Sequence, residues 1–293
     1  MVLDPFQKVG ARSIVPFKRG TQKDKIHSLG RPGLICCHGV NMKFKCITCD
    51  ALARQTYHCA AQSPHLIDVE LVSMGQHIKP EQLNRTLQDK IDSVKDTTYN
   101  AILLCYGLCG QATSGLTARD IPVVIPRAHD CITLCLGSKE EYKKQQEICP
   151  GTIWYTKDYL ERLDNAKEFS GMGASSAELY DEKAYEAMVG RMGKETAGRI
   201  IASMGEMTKN YERVVFIEQD MVDSKKEQEF IQKEAGEKGW RFEKMKGDTR
   251  LIKGLLNGDW PEEGYLLVKP GQKIIIGFGD RIVKVAEKKD KDY

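Results

Sequence analysis

From residue 42 onward the chain alternates between two hydrophobic periods, one of two residues and one close to 3.6. Met42-Lys43-Phe44-Lys45-Cys46-Ile47-Thr48-Cys49 has the pattern of a half-buried strand, and Asp50 is placed to cap a helix from Ala51 to about Ala61. Ile67 to Met74 predicts a second strand that runs into Gly75-Gln76-His77. Pro80 then opens a helix with Leu83, Leu87, Ile91 and Val94 on one face. Ala101-Ile102-Leu103-Leu104-Cys105 is an unbroken apolar run, as a central strand covered on both faces requires. It leads into Tyr106-Gly107-Leu108-Cys109-Gly110, where glycine permits a sharp turn. The next strand, Pro122 to Ile125, delivers Pro126-Arg127-Ala128-His129-Asp130-Cys131.

Residues 158 to 212 read as helical, interrupted by Gly171, Gly173, Gly190 and Gly193, and contain no Cys or His. A second strand-helix unit follows. Its strands are Arg213 to Ile217, Trp240 to Met245 and Tyr265 to Val268, and its helices are Ser224 to about Glu237 and Thr249 to Leu256. The expected architecture is α/β, with two Rossmann-like parallel-sheet lobes facing a cleft and a helical insertion between them. The expected division is a Cys/His-bearing lobe at 42–157, a helical connector at 158–212, a second lobe at 213–287 and a charged tail at 288–293. Residues 1–41 carry neither period and include the basic, polar stretch Lys18 to Lys25. They are expected to be a flexible or non-native extension, with Met42 as the natural start and the Cys36-Cys37 pair outside the folded part.

Composition narrows the function classes. At 293 residues and 41% hydrophobic, the chain can bury one large core or two ordinary ones. A net charge of +3, from 44 basic and 41 acidic residues, gives no bias toward nucleic acid or anionic membrane. No apolar run reaches the roughly 18 residues of a membrane span, and the N-terminus lacks a signal-peptide core, so a cytoplasmic protein is expected. In that reducing compartment the ten cysteines read as thiols, metal ligands or buried apolar residues rather than disulfides.

The candidate chemistry comes from where those cysteines fall. The C-terminal ends of parallel strands share one edge, so Cys49, His77, Cys109 and Cys131 are expected to meet in one crevice. Thiolate and imidazole suit zinc or iron, and four such donors are a tetrahedral set. His129, two residues before Cys131, is expected either to reach the same ion as Cys131 or to act as an acid or hydrogen-bond donor behind the ligands. Arg127 is expected to clamp an anionic substrate end. In Gly110-Gln111-Ala112-Thr113-Ser114-Gly115, Gly110 with the Thr113 and Ser114 hydroxyls is a candidate anion cradle at a helix start, or simply a turn and cap. Cys46, Cys59, Cys135 and Cys149 read as small buried hydrophobes. Cys46-Ile47-Thr48-Cys49 matches Cys-x-x-Cys formally, but Cys46 sits inside a strand, where redox pairs do not, and Cys105 also lies on a strand. Asp248 reads as a helix cap, Asp220 as a strand-end acid, and Gly258-Asp259-Trp260-Pro261 as a turn with Trp260 packed inward.

The chain has no Walker loop, no Gly-x-Gly-x-x-Gly after the first strand, no Gly-x-Ser-x-Gly elbow and no Asp-x-His-x-x-Gly corrinoid-binding sequence. The motifs Tyr106 to Gly110 and Pro126 to Cys131, followed by Leu136-Gly137-Ser138, resemble a domain-of-unknown-function family of methanogenic archaea and anaerobic bacteria. The resemblance covers about residues 42 to 280, including Leu251, Gly258-Asp259-Trp260 and Pro270-Gly271. It implies a setting beside corrinoid-dependent methyltransferase systems. The expected function is therefore a zinc- or iron-dependent enzyme of anaerobic one-carbon metabolism, performing thiol or methyl transfer on a small anionic or thiol substrate, with a corrinoid protein or methyltransferase as partner. Two alternatives stand beside it: an iron-sulfur redox or accessory protein for a corrinoid methyltransferase, and a binding protein with structural zinc.

Overall fold

The computed structural model describes residues 41–95, 98–163, 171–172, 189–190, 193–196, 198 and 211–286. The expected extension (residue 41 aside), the charged tail and most of the helical connector lie outside them. In chain order the elements are β1 (Lys43–Cys49), α1 (Ala53–Gln62), β2 (Leu66–Val72), α2 (Pro80–Ser93), β3 (Ala101–Cys105), β4 (Val123–Pro126), α3 (Cys131–Leu136), α4 (Lys139–Ile148), β5 (Thr152–Tyr155) and α5 (Lys157–Glu161). They continue with β6 (Arg213–Glu218), α6 (Lys225–Glu237), β7 (Arg241–Lys246), α7 (Arg250–Leu256), β8 (Tyr265–Val268), β9 (Ile274–Ile276) and β10 (Val283–Val285).

Among the described residues the larger sheet has five strands in the order β2-β1-β3-β4-β8. The first four are parallel, and β8 lies antiparallel against β4. Burial follows position in that order. The central strand β3 is buried at every residue, whereas β2, at the edge, buries only Val72 fully. Asp68 and Glu70 on that edge pair with Lys43, Lys45 and Lys90, which keeps a charged border on an otherwise open ladder. Helix α2 seats Leu83, Leu87 and Ile91 in the core, each contributing about 1.5–3 kcal/mol.

A second, three-stranded parallel sheet has the order β5-β6-β7, and β9 and β10 form an antiparallel pair. Two strands therefore lie away from the units the sequence assigns them to. Strand β5, within 42–157, pairs with β6, and β8, within 213–287, returns to β4. Apolar periodicity identifies a strand but says nothing about its partner. The return is anchored by side chains: Ser63 Oγ donates to the Leu256 carbonyl at 2.8 Å, and the Trp260 indole donates to Leu255 O while its ring packs near Phe44. The fold is thus mixed α/β with parallel-containing sheets. Among the described residues no helix is long and apolar enough to cross a membrane.

Asp50 departs from its expected capping role. A 3-10 turn, Asp50–Leu52, precedes α1, and the Asp50 carboxylate reaches the loop after β2 instead, accepting from the Met74 N–H at 2.7 Å. This ties the segment bearing His77 to the end of β1.

Candidate functional site

The strand order reverses between β1 and β3, because the chain passes from β1 outward to β2 and then returns to the other side of β1. Such a switch point opens a crevice beyond the carboxyl ends of the two strands, where loops leave in opposite directions. A cavity of about 220 Å³ lies there. Cys49, His77, Cys109 and Cys131 all line it, together with Cys105, Tyr106, Asp130 and the apolar side chains of Leu52, Met74, Leu83, Ile132 and Met172. The four sequence-predicted donors, one at the end of a strand and three following others, therefore open onto one space.

Their local settings differ. Cys49 is buried at the last position of β1, and the backbone N–H of Ala51 points at its sulfur. Cys109 has a positive φ of 47° between Leu108 and Gly110, a left-handed conformation that costs a non-glycine residue about 1–3 kcal/mol. Backbone bonds fix that turn: Leu108 N–H donates to Ala128 O and Cys109 N–H to His129 O, each at 2.9 Å. Thus the loop after β3 is sewn to the loop after β4, and the thiol of Cys109 faces the N-terminus of α3. Cys131 opens that helix, with its sulfur 3.5 Å from the Met172 thioether. Asp130 caps it, accepting from Thr133 N–H at 3.0 Å and from the Tyr142 hydroxyl at 2.9 Å. His77 is exposed at the cavity's edge.

Burial sets the electrostatics. It pushes the Cys109 thiol up to about 12, with the neighbouring Asp130 adding to the rise and the N–H groups of Gly107 and Cys131 opposing it. Burial raises Cys49 and Cys131 still further, and each is raised again by its neighbouring cysteines. Without a cation all three remain thiols. In kind the donors suit a soft metal ion, since a cation would relieve the mutual repulsion of the thiolates. In arrangement, no three His, Cys, Asp or Glu side chains among the described residues converge on one metal position. Ligation therefore requires these thiols to turn toward a common point.

The remaining candidates have other tasks. Arg127, expected as an anion clamp, is buried away from the cavity: Nε donates to Glu262 O at 2.7 Å, and Nη1 donates to Arg281 O at 2.8 Å and to Val283 O. It staples the β9–β10 region to the end of β4. Replacing it with Met strands three carbonyls, so Arg127→Met should cost about 3 kcal/mol in a denaturation experiment while leaving the cavity's thiols in place. The His129 ring is exposed and stacks on Tyr142 at 5.7 Å; it is not among the cavity's lining residues.

The expected cradle is a string of turns rather than a helix start. Thr113 is buried, and its hydroxyl donates to Gly107 O at 3.2 Å. Ser114 N–H donates to Gln111 O and Gly115 N–H to Ile274 O, while Asn84 donates to the carbonyls of Ala112 and Ser114. Gly110 touches the thiol cavity, whereas Ser114 lines a separate, open depression with Asn84 and Arg85. Asp248, expected as a cap, stands one residue before the N-cap of α7, Thr249, and accepts from the Arg250 N–H at 2.8 Å, while Asp220 pairs with Lys246 at the surface.

Cys46, Cys59, Cys135 and Cys149 are buried free thiols, as expected of small hydrophobes. Cys105 reaches the cavity from β3, but its sulfur takes the Thr56 hydroxyl at 3.8 Å, on the side of Thr48, its register partner in β1. Two contributors escaped the sequence reading. Tyr106 follows the last residue of β3, a position that itself marks the switch-point edge. Met172 lies in the stretch that reads as helical, yet it is held by backbone bonds of 2.9 Å in both directions with Trp154.

No curated protein and no solved structure matches the chain. A family model described as "Protein of unknown function (DUF1638)" matches residues 71–256, a span that takes in His77, Cys109, Cys131 and the second sheet and begins after Cys49. With more than half of its length matched, the chain belongs to the DUF1638 family.

Proposed function

We propose that the switch-point cavity is a soft-metal site in which Cys49, Cys109 and Cys131 hold zinc or iron, with His77 closing the set from the rim, and that the protein uses it on a small thiol substrate. The observation carrying this reading is that three cysteines at or just beyond the ends of three different strands line one cavity, beside a thioether and among apolar walls. Bound there, zinc or iron would supply Lewis-acid chemistry, which favours the nucleophilic form of a thiol substrate in alkyl transfer.

The chain's own residues do the rest. Leu52, Met74, Leu83 and Ile132 exclude water and pack the substrate's apolar body. The backbone N–H groups of Ala51, Gly107 and Cys131 support the sulfurs of Cys49 and Cys109. With Arg127 bound to backbone carbonyls, the substrate's anionic end has no clamp there, which favours an uncharged thiol. In this reading the two sheets serve as Rossmann-like lobes and the cavity as their cleft, with Tyr159 and Met172 contributed from the side of β5. Methyl transfer in the cytoplasm of an anaerobe, in the service of a corrinoid protein or methyltransferase, belongs to the same proposal.

Metal and acid-labile sulfide per chain, measured with the visible spectrum on protein purified without oxygen or a metal-binding tag, test it. About one zinc or iron without sulfide is the expected result. Iron with matching sulfide would replace it by the iron-sulfur reading, and unfolding on chelation without any substrate site by structural zinc. A metal-free protein from several growth conditions would end it.

A further inference from the structure

Three successive residues of the loop after β3 have positive φ: Cys109 at 47°, Gly110 at 63° and Gln111 at 76°. The turn closes where the Ala112 N–H donates to the Cys109 carbonyl at 3.2 Å, and the Cys109 N–H is taken by His129. The backbone N–H groups of Gly110 and Gln111 are left as adjacent donors with no acceptor among the described residues. Both residues line the open depression beside the thiol cavity, about 480 Å³ in volume, together with Glu81, Asn84, Arg85 and Ser114. Asn84 is engaged there, since its amide holds the carbonyls of Ala112 and Ser114. The Ser114 hydroxyl, the Gln111 amide and the Arg85 guanidinium make no hydrogen bond among the described residues. Arg85 pairs with Glu81, one helical turn earlier, at 3.7 Å, too long for a hydrogen bond.

Gly110 lines the thiol cavity as well, so the two spaces adjoin at this residue. Pockets for small molecules occupy roughly 300–1,000 Å³, and the thiol cavity, at about 220 Å³, falls short of that. The depression supplies the missing room, and its charges say which part of a ligand belongs there. Free N–H groups beside a guanidinium suit a carboxylate. The Glu81 carboxylate in the same depression suits an ammonium and repels a doubly charged phosphate. Carboxylate and ammonium together are the head of an α-amino acid, which has no net charge.

Deepening the thiol-substrate reading above, on which the placing of the side chain rests, we propose that the depression is a head-group subsite for a free α-amino acid. Its carboxylate takes the Gly110 and Gln111 N–H groups and Arg85, its ammonium lies beside Glu81, and its sulfur-bearing side chain passes Gly110 into the thiol cavity. The clamp that Arg127 does not supply comes from α2 instead.

Calorimetric titration of the metal-free full chain with L-methionine, a thioether that needs no metal to dock, tests this. One molecule should bind per chain, and Arg85→Gln should weaken it about tenfold at an unchanged melting temperature, because that side chain is exposed. The amine left by decarboxylating methionine should not bind detectably. The acid left by removing its amino group should bind more weakly than methionine to the wild type, and Glu81→Gln should erase that difference. No methionine binding to the folded metal-free chain, or equal binding by Arg85→Gln, would overturn the subsite. So would inorganic phosphate binding as tightly as methionine, which would make the depression a simple anion site. Methionine binding in a chain that holds no metal under any growth condition would uphold the subsite and end the soft-ion reading, whereas stoichiometric metal without amino-acid binding would do the reverse.

Discussion

Gly107→Ala should destabilise the protein by about 3 kcal/mol or more, an overpacking penalty at the upper end of the usual range. A methyl group at that position would lie 2.5 Å from the Asp130 backbone nitrogen, 2.7 Å from its Cα and 2.8 Å from the His129 carbonyl carbon. All three are backbone atoms, so no side chain can swing aside. The loops after β3 and β4 would have to separate, straining the 2.9 Å bonds that join Leu108 to Ala128 and Cys109 to His129. The melting temperature of the metal-free protein should fall by roughly 6–10 °C. A variant melting within a degree of the wild type would show that the two loops do not meet this closely.

Cys109→Ser and Cys131→Ser should each abolish stoichiometric metal binding, whereas Cys59→Ser should leave it intact. Serine keeps the shape of cysteine but replaces a soft donor with a hard, weakly acidic one, and zinc or iron sites of this kind depend on thiolate ligands. Cys59 is buried on α1 and does not line the cavity, so it controls for the general loss of a thiol. Metal per chain, measured after anaerobic gel filtration, reads the outcome. Full metal in both loop variants would misplace the site, and loss in all three would point to a general packing defect.

Much of this arrangement was legible along the chain because the strand ends are marked chemically. Four apolar or alternating runs are each followed by a Cys or His within a few residues, and parallel pairing alone brings such ends to one edge. What the pattern could not supply was partner choice. Tyr265 to Val268 reads as a strand of the second unit, yet it pairs antiparallel with β4. Nor could it distinguish a side chain at the edge from one aimed into the cavity. Arg127 and His129 flank the same turn as Cys131, but the guanidinium turns to carbonyls 135 to 156 residues away in sequence, and the imidazole turns outward onto Tyr142. Those orientations are set by the β9–β10 region and by α4, which no local spacing announces. The unpaired hydroxyl of Tyr106 is of the same kind, since it is visible only once every neighbour is in place.

The central claim, that the sulfurs of the switch-point cavity hold a soft metal ion, is tested most directly by X-ray absorption at the metal edge on anaerobically purified protein, wild type beside Cys131→Ser. Three sulfur scatterers at about 2.3 Å in the wild type, with the signal lost or reduced in the variant, are the expected result. Metal surrounded by nitrogen and oxygen alone, or a sulfur shell unchanged in Cys131→Ser, would contradict it.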